Sequence, residues 1–351
     1  MAQASRIEAS FPKSTLDTKP DTRQSLTGLV YPPDRRLEMK RVLIFPGQGS
    51  QQIGMGKAVF DAFPEARLVY EEVNDALNQN LSRLMFEGPE EELTLTENAQ
   101  PALMTSSIAI VRVLEVQGSV KIPDFASYVA GHSLGEYSAL AAGGAVTLTD
   151  TAKLLRTRGA AMQQAVPVGK GKMAAILGLQ LNKAEEIAQS ASTHGVCDVA
   201  NDNAPGQVVL SGKAEAIDRA IELAKEAGAK RAISLDVSAP FHCSLLEPAA
   251  EAMSIALNEI VISSPRPPLV SNVSATVTND PNLIRTLLIK QVTQRVRWRE
   301  IIQGTQALGG EAFFEIGTGK VLTNLNKRIS KELLSNSIEN PSDIENLLKS
   351  L

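Results

Sequence analysis

The chain has 351 residues, 43% of them hydrophobic and 21% charged, so it can bury one large core or a core with an inserted domain. A formal net charge of −4 gives no reason to expect nucleic-acid binding, and no apolar run reaches the roughly 18 residues of a membrane-spanning helix. Two cysteines, Cys197 and Cys243, form no C-x-x-C pair and do not cluster with the three histidines, so we expect a reducing cytoplasm and no metal site.

The first 38 residues differ in composition from the rest. They are rich in Ser, Thr, Asp, Lys and Pro, show no sustained periodicity and lack the apolar core of a secretory signal. They also carry acidic residues, in which organelle transit peptides are poor: Glu8, Asp17, Asp21, Asp34 and Glu38. We therefore interpret residues 1–38 as a disordered or cloning-derived leader and expect Met39 to be the natural start.

Strand and helix patterns alternate in the next part of the chain. Residues 41–45 form a short apolar run that stops at Pro46, which predicts a buried strand entering a loop. Helical patterns follow at 56–79 and 101–116, and a second buried strand is predicted at 125–130. This alternation predicts an α/β fold with a mainly parallel sheet.

Helix formers follow the second strand after a glycine turn. A helix is predicted at 136–142, directly after Gly131, and Thr149 is predicted to cap a further helix that runs to about Ala165. The local order is therefore strand, tight turn, helix.

The segment 167–237 has a different pattern and predicts a small inserted domain. Its elements are a strand at 173–178, a helix at 183–192, strands at 197–200 and 207–210, a helix at 214–227 and a strand at 230–237. The order β-α-β-β-α-β is the ferredoxin-like split unit. The main domain would then comprise 39–166 and 238–351, with further strands at 269–273 and 312–316.

The sequence G-H-S-L-G at 131–135 matches the nucleophile elbow G-x-S-x-G. Such an elbow places a serine hydroxyl on a tight turn, and the next backbone N–H, here that of Leu134, can face an oxyanion. A chance glycine turn is the alternative. The strand before the turn and the helix after it favour Ser133 as a nucleophile.

A serine nucleophile needs a base, which is usually a histidine. His132 lies in the turn itself and His194 ends a helix of the inserted domain, whereas His242 lies in a proline-containing loop where the main domain resumes. A lone histidine is more often structural, but elimination among three favours His242. No acidic residue after Glu247 stands out as the usual third member, which argues against a simple esterase.

Two glycine-containing loops remain. The sequence F-P-G-Q-G-S-Q at 45–51 begins like a dinucleotide fingerprint, but Gln52 stands where the third glycine is needed. We expect this loop to supply a second oxyanion N–H, from Gln48. The sequence G-T-G-K at 317–320 lacks the spacing of a phosphate-binding P-loop.

Taken together, residues 40–329 resemble the malonyl-CoA:acyl carrier protein transacylases, which load malonyl groups for fatty acid synthesis. The matching segments are 45–51, 100–102, 131–136, 158–159, 201–209, 239–242 and 317–322. The resemblance implies a hydrolase-like core with a ferredoxin-like insert, no cofactor, and malonyl-CoA and holo-acyl carrier protein as partners. We further expect a monomer that binds neither nucleic acid nor membranes.

The resemblance also implies roles for single residues. Ser133 would be the acylated nucleophile and His242 its base, while Gln48 and Leu134 would be the backbone donors of the oxyanion hole. Gln291 aligns with the glutamine whose carbonyl orients the histidine, which would replace the missing acid.

Arg158 would hold the free carboxylate of the malonyl group. Most helical arginines are solvated surface residues, but selecting malonyl over acetyl needs a fixed cation, and guanidinium offers a bidentate fork. Left buried and unpaired by an acetyl group, the same arginine would reject it. Phe241 is consistent with a small acyl pocket or with a place in the core. The family pattern commonly has Asn-Pro where this chain has Gln294 and Arg295.

The predicted reaction is ping-pong transfer of malonyl through Ser133. The alternatives are a serine thioesterase or hydrolase built on the same elbow and a non-catalytic module that binds carrier protein. Because carrier proteins are typically acidic, a basic docking face is a further hypothesis, with these candidates: Lys170, Lys172, Lys230, Arg231, Arg295, Arg297 and Lys320.

Overall fold

A computed structural model describes residues 39–351, so the interpretation of residues 1–38 as a leader lies outside the described part of the chain. The strands of the described part are β1 (Lys40–Phe45), β2 (Tyr128–Gly131), β3 (Gly171–Leu177), β4 (Cys197–Ala204), β5 (Gln207–Lys213), β6 (Arg231–Leu235), β7 (Leu269–Val270), β8 (Val277–Thr278), β9 (Gly310–Ile316) and β10 (Leu334–Ile338). They form two sheets.

Helices connect and cover these strands. Those of the described part are α1 (Lys57–Ala62), α2 (Pro64–Leu77), α3 (Leu81–Glu87), α4 (Glu90–Thr94), α5 (Thr96–Gln117), α6 (Ile122–Phe125), α7 (Gly135–Ala142), α8 (Leu148–Ala165), α9 (Leu181–Ala191), α10 (Ala214–Glu226), α11 (Glu247–Asn258), α12 (Pro281–Gln291), α13 (Trp298–Ala307), α14 (Val321–Ile329) and α15 (Pro341–Ser350). No helix of residues 39–351 combines the length and the hydrophobicity needed to cross a membrane.

The larger sheet has six strands in the order β10-β9-β1-β2-β7-β8, and only β8 runs antiparallel to its neighbour. The predicted α/β fold with a mainly parallel sheet is therefore confirmed. Val42, Leu43, Ile44 and Phe45 of the central strand β1 are fully buried, as a strand covered on both faces requires. Phe45 pairs with Gly131 of β2, so the loops that leave these two strands start side by side.

The smaller sheet is antiparallel, with the order β4-β5-β3-β6. Its elements follow the predicted sequence of strand, helix, two strands, helix and strand. Helices α9 and α10 pack on it around a hydrophobic cluster separate from that of the main sheet, with members such as Ile176, Ile187, Leu210 and Ile217.

Prolines and caps shift several predicted helix boundaries. The helical region expected at 56–79 consists of two helices, because Pro64 starts α2 at a position where its missing N–H costs nothing, and Phe63 before it is extended. The cap of α8 is Thr147 instead of Thr149, since the Thr147 hydroxyl accepts a hydrogen bond from the Asp150 N–H at 3.0 Å.

Two further elements begin at positions other than those predicted. The second strand starts at Tyr128 instead of residue 125, because Phe125 ends the short helix α6. Helix α5 starts at Thr96, five residues before Pro101, and most of its 22 residues are buried. It packs against α2 and α8. A helix that is apolar nearly all round is buried in the interior. Because α8 packs against α5, the side chains of α8 are held near the elbow.

Candidate active site

The elbow is a strained turn made possible by its glycines. Ser133 has a φ of 54°, in the left-handed region that side chains other than glycine rarely adopt. A Cβ atom at Gly131 would lie 1.9 Å from the carbonyl carbon of Gly135, and one at Gly135 would lie 2.2 Å from the Phe45 carbonyl oxygen. Only glycine therefore lets β2, β1 and α7 approach closely enough to raise Ser133 at the carboxyl edge of the sheet.

Ser133 and His242 are brought together by the fold. Ser133 Oγ lies 2.7 Å from His242 Nε2, and His242 Nδ1 lies 2.7 Å from the backbone oxygen of Gln291. Because a carbonyl oxygen can only accept, Nδ1 carries the hydrogen and Nε2 is left as an acceptor for the serine hydroxyl. This is the arrangement of nucleophile, base and orienting group, with a carbonyl in place of a carboxylate.

Burial keeps His242 neutral. Desolvation is the largest cause that lowers its pKa, the nearby charge of Arg158 lowers it further, and the result is about 3. The ring is therefore available as a proton acceptor throughout the neutral range. If a negatively charged group paired with Arg158, the arginine would lower the pKa of His242 less, and the histidine would be a stronger base.

Arg158 is a buried cation beside the nucleophile. Only 1% of it is exposed, and its Nη2 atom donates to Ser133 Oγ at 3.1 Å and to Gln291 Oε1 at 2.8 Å. Its Nη1 atom donates to Gln100 Oε1 at 2.7 Å, so all three acceptors are neutral. Among residues 39–351 no carboxylate forms an ion pair with Arg158. Burial lowers the pKa of its guanidinium group. The site thus holds a positive charge positioned to receive an anion.

Two residues to which the sequence assigned no role support the elbow. Asn272 accepts from the Ser133 N–H at 2.8 Å and donates to the Gly131 carbonyl at 2.6 Å. Glu136, fully buried, accepts from the Gln291 side-chain amide and from the Asn272 N–H at 3.2 Å. Burial raises the pKa of Glu136 to about 7. Their signal in the sequence was position alone: Glu136 follows the elbow and Asn272 follows the buried strand β7.

A cavity of about 620 Å³ connects these groups, and its wall is formed by the smaller sheet together with the loops that follow β1 and β2. Ser133, His242, Arg158, Gln48 and Leu134 all line it. Phe241 also lines it, together with residues of the smaller sheet and of α14, namely Met173, Val209, Leu235, Leu322 and Leu325. Gln291 does not line the cavity. It is fully buried and contacts the residues of the site through hydrogen bonds.

The other two histidines do not reach Ser133 Oγ. The His132 ring bonds to Asn203 Oδ1 at 2.9 Å and packs near Trp298, whereas His194 is exposed and bonds to its neighbour Thr193. Of the three histidines, His242 is the one whose ring lies at hydrogen-bond distance from Ser133 Oγ, and its role as base stays a prediction.

Three of the seven basic residues considered for docking are engaged in ion pairs. These pairs are Lys172 with Asp218, Arg295 with Glu185 and Arg297 with Glu300. Because their charges are locally compensated, they attract an acidic partner less than free cations would. The basic docking face remains a hypothesis.

The depressed pKa of His242 predicts how stability depends on pH. A group with a lowered folded-state pKa stabilises the fold above its unfolded pKa of about 6.5, and that stabilisation is lost as pH falls toward 3. From pH 7 to pH 5 the free energy of unfolding should fall by about 2 kcal/mol more in the wild type than in His242→Gln. Urea unfolding of both proteins at each pH measures this, and equal losses would contradict it.

The fold places a serine hydroxyl, a histidine acceptor and a buried arginine around one cavity, which is the arrangement typical of serine enzymes that work through an acyl intermediate. The family model of the acyl transferase domain matches residues 42–343. The chain belongs to this family, and the expected resemblance to malonyl-CoA:acyl carrier protein transacylases is confirmed by the comparisons.

The similar proteins carry consistent names. The chain is 45% identical over 313 residues to the malonyl CoA-acyl carrier protein transacylase of Bacillus subtilis, which covers 89% of this chain and 97% of that protein. The crystal structure of an acyl-carrier-protein-S-malonyltransferase from Bartonella henselae is 52% identical, with a TM-score of 0.87 and coverage of 89% and 99%. A malonyl-transacylase in complex with its type II PKS acyl-carrier protein is 38% identical, with a TM-score of 0.86 and coverage of 89% and 100%.

Proposed function

We propose that this protein transfers the malonyl group of malonyl-CoA to the phosphopantetheine thiol of acyl carrier protein, in fatty acid synthesis. The observation that carries the proposal is Arg158: a buried guanidinium without a carboxylate partner in the described residues, 3.1 Å from Ser133 Oγ. A cation placed there favours an acyl group that ends in a carboxylate over one that ends in a methyl group.

The first half-reaction loads the serine. His242 Nε2 accepts the proton of the Ser133 hydroxyl as Oγ attacks the thioester carbonyl of malonyl-CoA, and the Gln291 carbonyl supports the imidazolium through Nδ1. The backbone N–H groups of Gln48 and Leu134 would hold the oxyanion, and neither group has a hydrogen-bond partner among residues 39–351. Collapse of the intermediate expels the coenzyme A thiolate, which takes the proton from His242.

The second half-reaction reverses these roles. His242 takes the proton of the carrier-protein thiol, the sulfur attacks the malonyl-serine ester, and Ser133 leaves with the proton returned by His242. One thioester is exchanged for another, so the transfer needs no net energy input. The apolar side of the cavity, with Met173, Val209 and Leu235, would limit access of water to the ester.

Mass spectrometry tests the intermediate. Wild-type protein mixed with malonyl-CoA should gain the mass of one malonyl group, and Ser133→Ala should gain none because the acceptor oxygen is gone. Ser138→Ala is the matched control, since Ser138 is a buried serine of α7, the helix that follows the elbow, and should leave the adduct intact. An adduct that persists in Ser133→Ala would refute the assignment of the nucleophile.

The product distinguishes transfer from hydrolysis. With holo-acyl carrier protein present, malonyl-carrier protein should form in large excess over free malonate. Predominant release of free malonate would instead identify the alternative, a thioesterase on the same elbow. Absence of both the adduct and any product would leave the non-catalytic binding module.

Finer aspects of the architecture belong to the same proposal. We assign residues 39–166 and 238–351 to a hydrolase-like core and 167–237 to a ferredoxin-like insert, which the antiparallel order β4-β5-β3-β6 supports. The two free, buried thiols of Cys197 and Cys243 support a reducing cytoplasmic location. A monomeric state remains a prediction.

A further inference from the structure

A chain of hydrogen bonds links Arg158 to the loop after β1. Arg158 Nη1 donates to Gln100 Oε1 at 2.7 Å. Gln100 Nε2 donates to Thr96 Oγ1 at 2.9 Å, and the Thr96 hydroxyl donates to Gln48 Oε1 at 2.9 Å. Three elements distant in sequence are joined: α8, the first turns of α5, and the loop after Phe45.

We propose that Thr96 is a positioning residue for acyl transfer. By holding the Gln48 side chain, it keeps the backbone N–H of Gln48 aimed at the oxyanion, in register with the arginine that binds the substrate carboxylate. This inference rests on the proposed function and adds to it a residue that contacts neither the substrate nor the reacting atoms.

The direction of the chain is determined by its first member. A guanidinium group can only donate, so the Gln100 amide must present its oxygen to Arg158 and its nitrogen to Thr96. The Thr96 oxygen therefore accepts from Gln100, and its single hydrogen remains for Gln48. A threonine hydroxyl suits this place because it accepts and donates at once.

Burial makes the hydroxyl difficult to replace. Thr96 is fully buried and Gln100 is 1% exposed, and the two side chains lie one helical turn apart on the same face of α5. Water cannot freely take over the role of the hydroxyl there, so its loss would leave Gln100 Nε2, among residues 39–351, with only the weak acceptor Met162 Sδ at 3.8 Å. Within residues 39–351 the Thr96 contact is also the one hydrogen bond made by the Gln48 side chain.

The position of the Gln48 backbone N–H depends on the hydrogen bond between Thr96 and the Gln48 side chain. Gln48 is partly exposed and lies in a loop between β1 and α1, where the backbone is held by few interactions of its own. A displacement of about 1 Å at a catalytic contact can lower a rate about 100-fold. Arg158, in contrast, keeps its bond to Gln291 whether or not Thr96 has a hydroxyl.

The test is Thr96→Val, which keeps the shape of the side chain and removes the hydroxyl. At saturating malonyl-CoA, the single-turnover rate of malonyl-serine formation should fall about 10- to 100-fold, while the Kd of malonyl-CoA changes less than about threefold. Thr96→Ser should recover most of the rate. The matched control is Thr105→Val in the same helix, a buried threonine whose hydroxyl donates to the Pro101 carbonyl, and it should acylate at the wild-type rate.

A second variant covers the case in which Thr96→Val does not fold. Gln48→Ala removes the other end of the contact and keeps the backbone N–H, so it should show the same slow acylation, and the double variant should be no slower than either single one.

Acylation within about threefold of wild type in either single variant would overturn the proposal, as would equal loss in Thr96→Ser. If wild-type protein itself forms no malonyl adduct, the proposed function fails. If wild type is acylated and Thr96→Val is acylated equally fast, only the role of Thr96 fails.

Discussion

His242→Ala should lower the rate of malonyl-serine formation by about 10⁴-fold or more, the largest effect expected of any change outside Ser133. The hydroxyl of Ser133 is a poor nucleophile while it keeps its proton, and His242 Nε2, at 2.7 Å, is the acceptor in reach. Rapid-quench measurement of the acyl-enzyme at saturating malonyl-CoA separates this chemical step from binding.

The matched control is His194→Ala. His194 is exposed between α9 and β4 and contacts Thr193, so its removal should leave acylation unchanged. Affinity for malonyl-CoA should survive in His242→Ala, because Arg158 and its partners remain. Acylation by His242→Ala within tenfold of wild type would show that another group takes the serine proton.

Arg158→Ala should reverse the selectivity of the acyl pocket. Truncating one partner of a buried, hydrogen-bonded charge pair costs about 2–5 kcal/mol, so kcat/KM for malonyl-CoA should fall about 10³-fold. Acetyl-CoA makes no such pair, and the buried charge that opposes its methyl group is gone, so kcat/KM for acetyl-CoA should stay within about tenfold of wild type or rise.

A panel of acyl-CoA substrates, measured for both proteins, gives the change in preference. Arg156→Ala is the control in the same helix: Arg156 bonds to Asn98 and Gln79 away from Ser133, so the variant should keep the malonyl preference. An unchanged ratio of malonyl to acetyl use in Arg158→Ala would eliminate the carboxylate clamp.

Burial also shifts the pKa values of two neighbouring charged side chains, Glu136 and Arg158. Glu136, with a pKa of about 7, and Arg158 influence each other electrostatically without forming an ion pair. The carboxylate instead accepts from Gln291 and Asn272, which keeps the Gln291 amide oxygen turned toward Arg158. Arg158 is thereby held by neutral hydrogen-bond acceptors instead of by a carboxylate.

The sequence by itself determined the features that depend on neighbours along the chain. Strands, helices and their alternation follow from hydrophobic periodicity, and the elbow at Ser133 follows from the steric need for Gly131 and Gly135 on each side of it. The errors were local too: the second strand starts at Tyr128 instead of residue 125, and Thr147 caps α8 in place of Thr149.

Only the tertiary structure decided how the chemical groups meet. Ser133 and His242 lie 109 positions apart, and Arg158 and Gln291 lie 133 apart, so no local pattern specifies their distances. Whether an arginine on a helix is a solvated surface residue or a buried cation depends on what packs over it, and here the interior helix α5 supplies that cover. The same packing brings Thr96 to Gln48 and Asn272 to the elbow, since parallel strands collect their carboxyl-terminal loops at one edge of the sheet.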